Sequence, residues 1–151
     1  MKRKILLFFA LLIMFKAYSQ APNEADAIIG VWESGNGKAR IKIDKANDKF
    51  NGRIVWLKEP LDEAGKPKVD KNNPDEALRS KPLLGYSMLK AFTYAGDKTW
   101  EEGTIYDPES GSTYSCTITM TDDNTLDVRG FIGVSLFGRT DVWTRVAIKK
   151  K

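Results

Sequence analysis

The segment Lys38-Ala39-Arg40-Ile41-Lys42-Ile43 alternates charged and apolar residues with a period of two. Successive side chains of a strand point to opposite faces, so this stretch can be water-facing on one side and core-facing on the other only as β-structure. The pattern recurs from Ile28 onward in short runs split by turn residues, which predicts an antiparallel meander rather than βαβ units. Strand one is read over Ile28-Ile29-Gly30-Val31-Trp32-Glu33 and ends in the glycine-rich turn Ser34-Gly35-Asn36-Gly37. Later strands are read at 38–43, 50–57, 84–93, 99–106, 112–120 and 125–132, with the last at about 139–146. Glycine within three of them, at Gly52, Gly85 and Gly103, suggests bulges or bends. Roughly eight antiparallel strands are enough to close an up-and-down barrel that is filled by side chains or holds one small ligand. The fold class is therefore all-β. Its closure is expected between the first strand, around Trp32, and the last, Asp141-Val142-Trp143-Thr144-Arg145.

One region breaks the meander. Residues 58–82 hold Pro60, Gly65, Pro67, Pro74 and Pro82. A single short helix is expected there, with Asn73 as its cap, Pro74 in the first turn, Leu78 buried, and an end near Ser80 imposed by Pro82. A connection of this length is expected to act as a lid over the barrel or as a plug. Gly133-Val134-Ser135-Leu136-Phe137-Gly138 is unusual in being an apolar turn. The preferred reading is a plug dipping into the barrel; the alternative is that Leu136 and Phe137 line the mouth or touch a partner.

The N-terminus reads as a targeting segment. Met1-Lys2-Arg3-Lys4 precedes an apolar run of 11 residues, Ile5 to Phe15, and Ala17-Tyr18-Ser19 supplies the small-x-small exit. That run is too short to span a bilayer, which takes roughly 20 residues. Residues 1–19 are therefore expected to be a signal peptide, leaving 20–151 as a single exported barrel domain, periplasmic or extracellular, with no membrane span. The charge argument changes with it. The whole chain has 24 basic and 20 acidic residues. Residues 1–19 carry Lys2, Arg3, Lys4 and Lys16 and no acid, so removing these four leaves 20 of each sign. Binding to nucleic acid through phosphate neutralisation is not expected. The basic end Lys149-Lys150-Lys151 reads as a solvated tail.

Function classes narrow by subtraction. The chain has no His and one Cys, Cys116. This excludes an internal disulfide, a Ser-His-Asp or Cys-His catalytic group, and a structural zinc site. Cys116 shares a strand face with Tyr114, Ile118 and Met120 and reads as a small core residue. Asp70-Lys71-Asn72-Asn73-Pro74-Asp75 is rich in oxygen ligands but departs from the calcium-loop pattern at Pro74 and Asp75, and helix capping explains it more simply. Glu101 and Glu102, adjacent on a strand, are expected to point to opposite faces, which prevents a carboxylate pair. No catalytic residue, cofactor or metal ligand is assigned, and an enzyme is not expected.

The aromatics Trp56, Tyr86, Trp100, Tyr106, Tyr114 and Phe131, spread over many strands, are candidates to line an apolar cavity. Arg79 and Arg139 are candidates to hold a carboxylate head group bidentately. The leading expectation is a barrel that binds a small, partly apolar molecule such as a lipid or fatty acid. The alternative is an envelope protein-interaction module whose barrel is filled.

A resemblance supports the fold. Gly30-Val31-Trp32, Gly52-Arg53-Ile54-Val55-Trp56-Leu57, Asp70 with Asn73-Pro74-Asp75, and Leu78-Arg79-Ser80-Lys81-Pro82-Leu83-Leu84-Gly85 form one set of phrases. Gly103-Thr104-Ile105-Tyr106-Asp107-Pro108 with Gly111, and Phe137-Gly138-Arg139 leading to Trp143-Thr144-Arg145, form another. Together they resemble domain-of-unknown-function family 2147, small exported bacterial proteins, over nearly the whole chain beyond the signal segment. The resemblance implies a lipocalin-like barrel with no established activity. Lipocalins carry Gly-x-Trp on the first strand and an Arg near the barrel's end that stacks on the Trp. Gly30 and Trp32 match the first element, and Arg145 is the candidate for the second. Gly30, Trp32, Trp143 and Arg145 are accordingly assigned as a structural signature. A C-terminal helix like that of larger lipocalins is not expected.

Overall fold

The computed structural model describes residues 23–147. Residues 1–19, expected to be a signal segment, and the lysines at 149–151 lie outside them. Eight strands follow in chain order: β1 (Gly30–Glu33), β2 (Ala39–Ala46), β3 (Lys49–Leu57), β4 (Ser87–Gly96), β5 (Thr99–Asp107), β6 (Ser112–Asp122), β7 (Thr125–Phe131) and β8 (Gly138–Arg145). Each pairs antiparallel with its sequence neighbours, and β1 pairs with β8, so the sheet closes into an up-and-down barrel. At the seam Trp32 sits opposite Arg145 and Glu33 opposite Thr144.

Short turns hold the register. Asn47 and Asp48 both have positive φ, as do Asp97 and Lys98. Two such residues in a row make the hairpin turn whose twist matches that of the flanking strands. These two turns and Asp123-Asn124 lie at one end of the barrel; the β1–β2, β5–β6 and β7–β8 connections and the long segment 58–86 lie at the other.

The first end is packed solid. Trp32, Trp100, Phe92, Ile43, Ile118 and Leu126 are fully buried there. A 3-10 helix, Glu24–Ile28, lies beneath them. The Trp32 indole N–H donates to the Ile28 carbonyl at 2.8 Å, and that of Trp100 to the Ala25 carbonyl at 3.1 Å. The strand expected to begin at Ile28 thus starts at Gly30, because Ile28 belongs to this floor. Arg145 completes it. Its guanidinium lies 4.1 Å from the centre of the Trp32 ring and donates to the carbonyls of Ala27, Ile29 and Asp123. Gly30 has φ of +149°, and a Cβ there would come within 2.7 Å of Arg145 Nη1. The Gly-x-Trp…Arg set is therefore one device: glycine makes room, tryptophan fills the base, and arginine caps loose carbonyls.

Bulges change two expectations. The β5–β6 register slips between Trp100 and Gly103, and Glu102 has φ of +61°. One extra residue sits in β5, so Glu101 and Glu102 are both exposed rather than on opposite faces. The slip turns Gly103 inward, where a Cβ would fall 2.4 Å from the Phe92 ring. In β3 the register shifts at Val55, which turns Trp56 to the outer surface opposite Arg40.

The long segment differs in detail from the expected helix. It carries a 3-10 turn at Glu76–Leu78, capped by Asp75, whose side chain accepts from the Ala77 N–H. Leu78 is half-buried. Asn73 does not cap this turn because its side-chain oxygen accepts from the N–H of Asp75, the residue before the turn, at 2.9 Å. Strand β4 begins at Ser87, since Gly85 (φ +88°) forms a turn whose N–H donates to Ile54.

Cys116 lies inside, opposite Gly103 on β5 and Gly130 on β7. Burial pushes its thiol up to about 12. The thiolate is the reactive form, so Cys116 is expected to resist thiol-specific reagents at pH 8 and to react fully in denaturant. Fast labelling of the native protein would contradict that placement.

Candidate functional site

Above the packed floor the barrel is not filled. An open cavity of about 830 Å3 occupies the other half, within the roughly 300–1,000 Å3 typical of small-molecule sites. Its base is apolar: Ile41, Ile54, Ile105, Val128 and Trp143. Ile41, Ile54, Val128 and Trp143 point inward by the same alternation that predicts strand β2, and Ile105 does so because of the slip before Gly103. The space exists because two interior positions carry little. Ala39 is small, and Gly130 has no side chain; a Cβ there would point toward Ile105 and Tyr114 at ordinary contact distances.

The rim is polar. Lys38, immediately before β2, reaches Glu109 in the β5–β6 turn at 2.9 Å, joining two of the connections that surround the mouth. The pair raises the Lys38 ammonium above its usual range. Both partners are exposed, so the pair marks geometry more than stability. Asp141 accepts the Trp143 indole N–H at 2.7 Å and the Gly35 N–H at 3.2 Å. Arg139 sits opposite Gly130 and so shares its inward face. Among the described residues its side chain makes no hydrogen bond or ion pair, and it lines the cavity. It is an uncommitted guanidinium over an apolar hollow.

A second polar centre lies outside the barrel wall. Tyr106 points outward from β5 yet is buried, because segment 58–86 folds over it. Its hydroxyl donates to Asp70 Oδ1 at 2.7 Å. Asn73 donates to Asp70 Oδ2 at 2.7 Å and to the Tyr86 hydroxyl at 2.9 Å. Asp70 is fully buried and Asn73 nearly so. Burial, then the nearby Asp70 carboxylate, raises the Tyr106 and Tyr86 hydroxyls above their usual range. A shallow hollow of about 190 Å3 adjoins this cluster. The segment is also tied to the β5–β6 turn: the Asn72 amide donates to the Pro108 and Glu109 carbonyls. Gly111 admits the Asn72 backbone where a Cβ would overlap it. The arrangement is an anchor, with every buried donor matched.

The expected lining residues thus divide. Tyr114, Phe131 and Arg139 line the main cavity, and Tyr106 touches both hollows. Tyr86 faces only the smaller one. Arg79 lies in the long segment and donates to the Asn73 carbonyl at 2.7 Å and to Glu76 at 3.3 Å, away from the main cavity. Trp100 belongs to the packed floor. Trp56 lies on the outer wall under Arg40, whose guanidinium is 4.5 Å from its ring. Trp143, read as structural, is also a cavity wall. The 133–138 turn does not plug the barrel: Leu136 and Phe137 are highly exposed, and Phe137 borders the mouth. Lys38 and Glu109 went unnoticed in the sequence, since nothing local links two charges 71 positions apart. Among the described residues no cluster of His, Cys, Asp or Glu could hold a metal ion. No helix there is long and apolar enough to cross a membrane.

The fold has a solved counterpart described as "Protein HP1028 from the human pathogen Helicobacter pylori belongs to the lipocalin family". The two share 21% sequence identity with a TM-score of 0.70, over 79% of this chain and 82% of that one. The likeness establishes a lipocalin-like barrel. No curated protein matches the sequence. The model of domain-of-unknown-function family 2147, described as an uncharacterised protein conserved in bacteria, matches residues 30–145. That span runs from the glycine that makes room for Arg145 to Arg145 itself, and the chain belongs to that family.

Proposed function

We propose that the protein is an exported carrier, periplasmic or extracellular, that holds a small amphipathic molecule in the open half of its barrel. The observation that carries this reading is the division of the interior into a packed floor and an apolar hollow of about 830 Å3. The hollow favours carriage over an interaction module with a solid barrel. An aliphatic chain fits against Ile41, Ile54, Ile105 and Val128, with an anionic head group directed to Arg139. A fatty acid is the simplest molecule of that description.

The test is fluorescence titration of delipidated, refolded protein with dansyl-undecanoic acid, followed by displacement with palmitate. Gly130→Phe projects a ring into the hollow and is expected to weaken binding at least tenfold while leaving the melting temperature nearly unchanged. Arg139→Gln is expected to weaken the acid about tenfold, the worth of one charge-assisted contact, but not its methyl ester. Absence of binding by the unaltered protein, or equal binding by Gly130→Phe, overturns the proposal.

A further inference from the structure

The four most exposed large apolar side chains of the described residues all lie on the β7–β8 connection: Ile132 (73%), Val134 (58%), Leu136 (80%) and Phe137 (75%). They are not loosely arranged. The turn is closed by a Phe137 N–H to Val134 carbonyl bond at 3.1 Å, and the Ser135–Phe137 segment is a 3-10 turn that carries both Leu136 and Phe137. Arg129 braces it from β7 through the Leu136 carbonyl and Thr140. Exposure this high on a braced turn means side chains held out from the wall into water, at a standing cost in solvation free energy.

Two cationic side chains flank the tip: between Arg129 and Arg139 the sequence has no other charged residue. The rim acids make contacts of their own, Asp141 with Trp143 and Gly35, and Glu109 with Lys38. Ile132 and Phe137 also border the cavity, so the tip and the mouth are continuous.

We propose that this tip is a membrane-docking device, which inserts its apolar side chains into an anionic phospholipid surface and seats the cavity mouth on it. Aliphatic side chains held out from a barrel gain most from a medium that deforms around them, and two flanking guanidiniums suit a surface of lipid phosphates. Docked in this way, the cavity opens toward the acyl phase, and an amphipathic ligand enters it without crossing water.

The test is co-sedimentation with phosphatidylglycerol vesicles and, separately, phosphatidylcholine vesicles. It compares the unaltered protein with Val134→Ser/Leu136→Ser, which removes two apolar groups that do not line the cavity. Expected results are binding to the anionic vesicles, weaker binding to the zwitterionic ones, loss at high salt, and a drop of roughly tenfold or more in the double variant. Titration of the variant with dansyl-undecanoic acid in solution is expected to be unchanged, so failure of the carrier reading and failure of the docking reading are told apart. Both proteins share one N-terminus. Vesicle binding that arises from the apolar run at 5–15 therefore persists in the variant, and such persistence overturns the proposal. So does the absence of vesicle binding, or a tip-dependent dimer in light scattering, which assigns the patch to a second copy of the chain.

Discussion

Trp32→Ala is expected to lower stability by about 3–5 kcal/mol, the usual cost of truncating a buried tryptophan. Trp32 is fully buried at the closed end, and three losses meet there. The floor acquires a void, the Ile28 carbonyl loses its indole donor, and Arg145 loses the ring beneath it, itself worth roughly 0.5–2 kcal/mol. Burial already lowers the affinity of the Arg145 guanidinium for its proton, so its place depends on the carbonyls and the ring that surround it. For a domain of this length the change corresponds to a fall of roughly 10–20 °C in melting temperature. Trp32→Phe keeps an apolar face for Arg145 and is expected to lose less than half as much. Urea unfolding of the three proteins checks this; a Trp32→Ala midpoint within error of the parent contradicts the account of the floor.

The second large effect is expected at Asp70. Asp70→Ala leaves the Tyr106 hydroxyl and one Asn73 donor without an acceptor in a dry site, at about 1–3 kcal/mol each. The segment 58–86 has an escape, since undocking from the outer wall returns both groups to water. The variant is therefore expected to lose about 2–4 kcal/mol and to show its loss locally. Limited proteolysis is expected to cut within 58–86 while the barrel stays folded by circular dichroism. Tyr106→Phe removes one of the two donor contacts and is expected to give about half the effect. Equal protease resistance in Asp70→Ala and the parent would show that the segment is held by something other than this cluster.

The barrel could be read from the chain because most of its strands are straight enough to obey a strict period. Ala39, Ile41 and Ile43 announce an inward face, and Tyr114, Cys116, Ile118 and Met120 another, with no tertiary information needed. Closure of the first strand on the last followed from counting strands, and the pairing of Trp32 with Arg145 from the lipocalin resemblance. The errors fall where that period is interrupted. Nothing local marks Glu102 as a residue with positive φ; the slip there is set by Phe92, which needs the space beside Gly103. The shift at Val55 moves Trp56 from a candidate wall to the outer surface. Tyr86 and Tyr106 misled for a different reason. An aromatic ring can be buried on either side of a sheet, and only docking of the long segment decides which. The hollow itself was not legible, because it depends on what is missing at Ala39 and Gly130 rather than on what is present.

Closure through β1 and β8 has a consequence for the chain as it is being made. Until Thr144 and Arg145 pair with β1, the sheet is a curved ribbon with two bare margins, Gly30–Glu33 on one side and β8 on the other, each carrying unpaired amide and carbonyl groups. The contact that shuts the ring joins residues 113 apart, so it forms late. Chains stalled or cut a few residues short of that point should pair with one another rather than remain single.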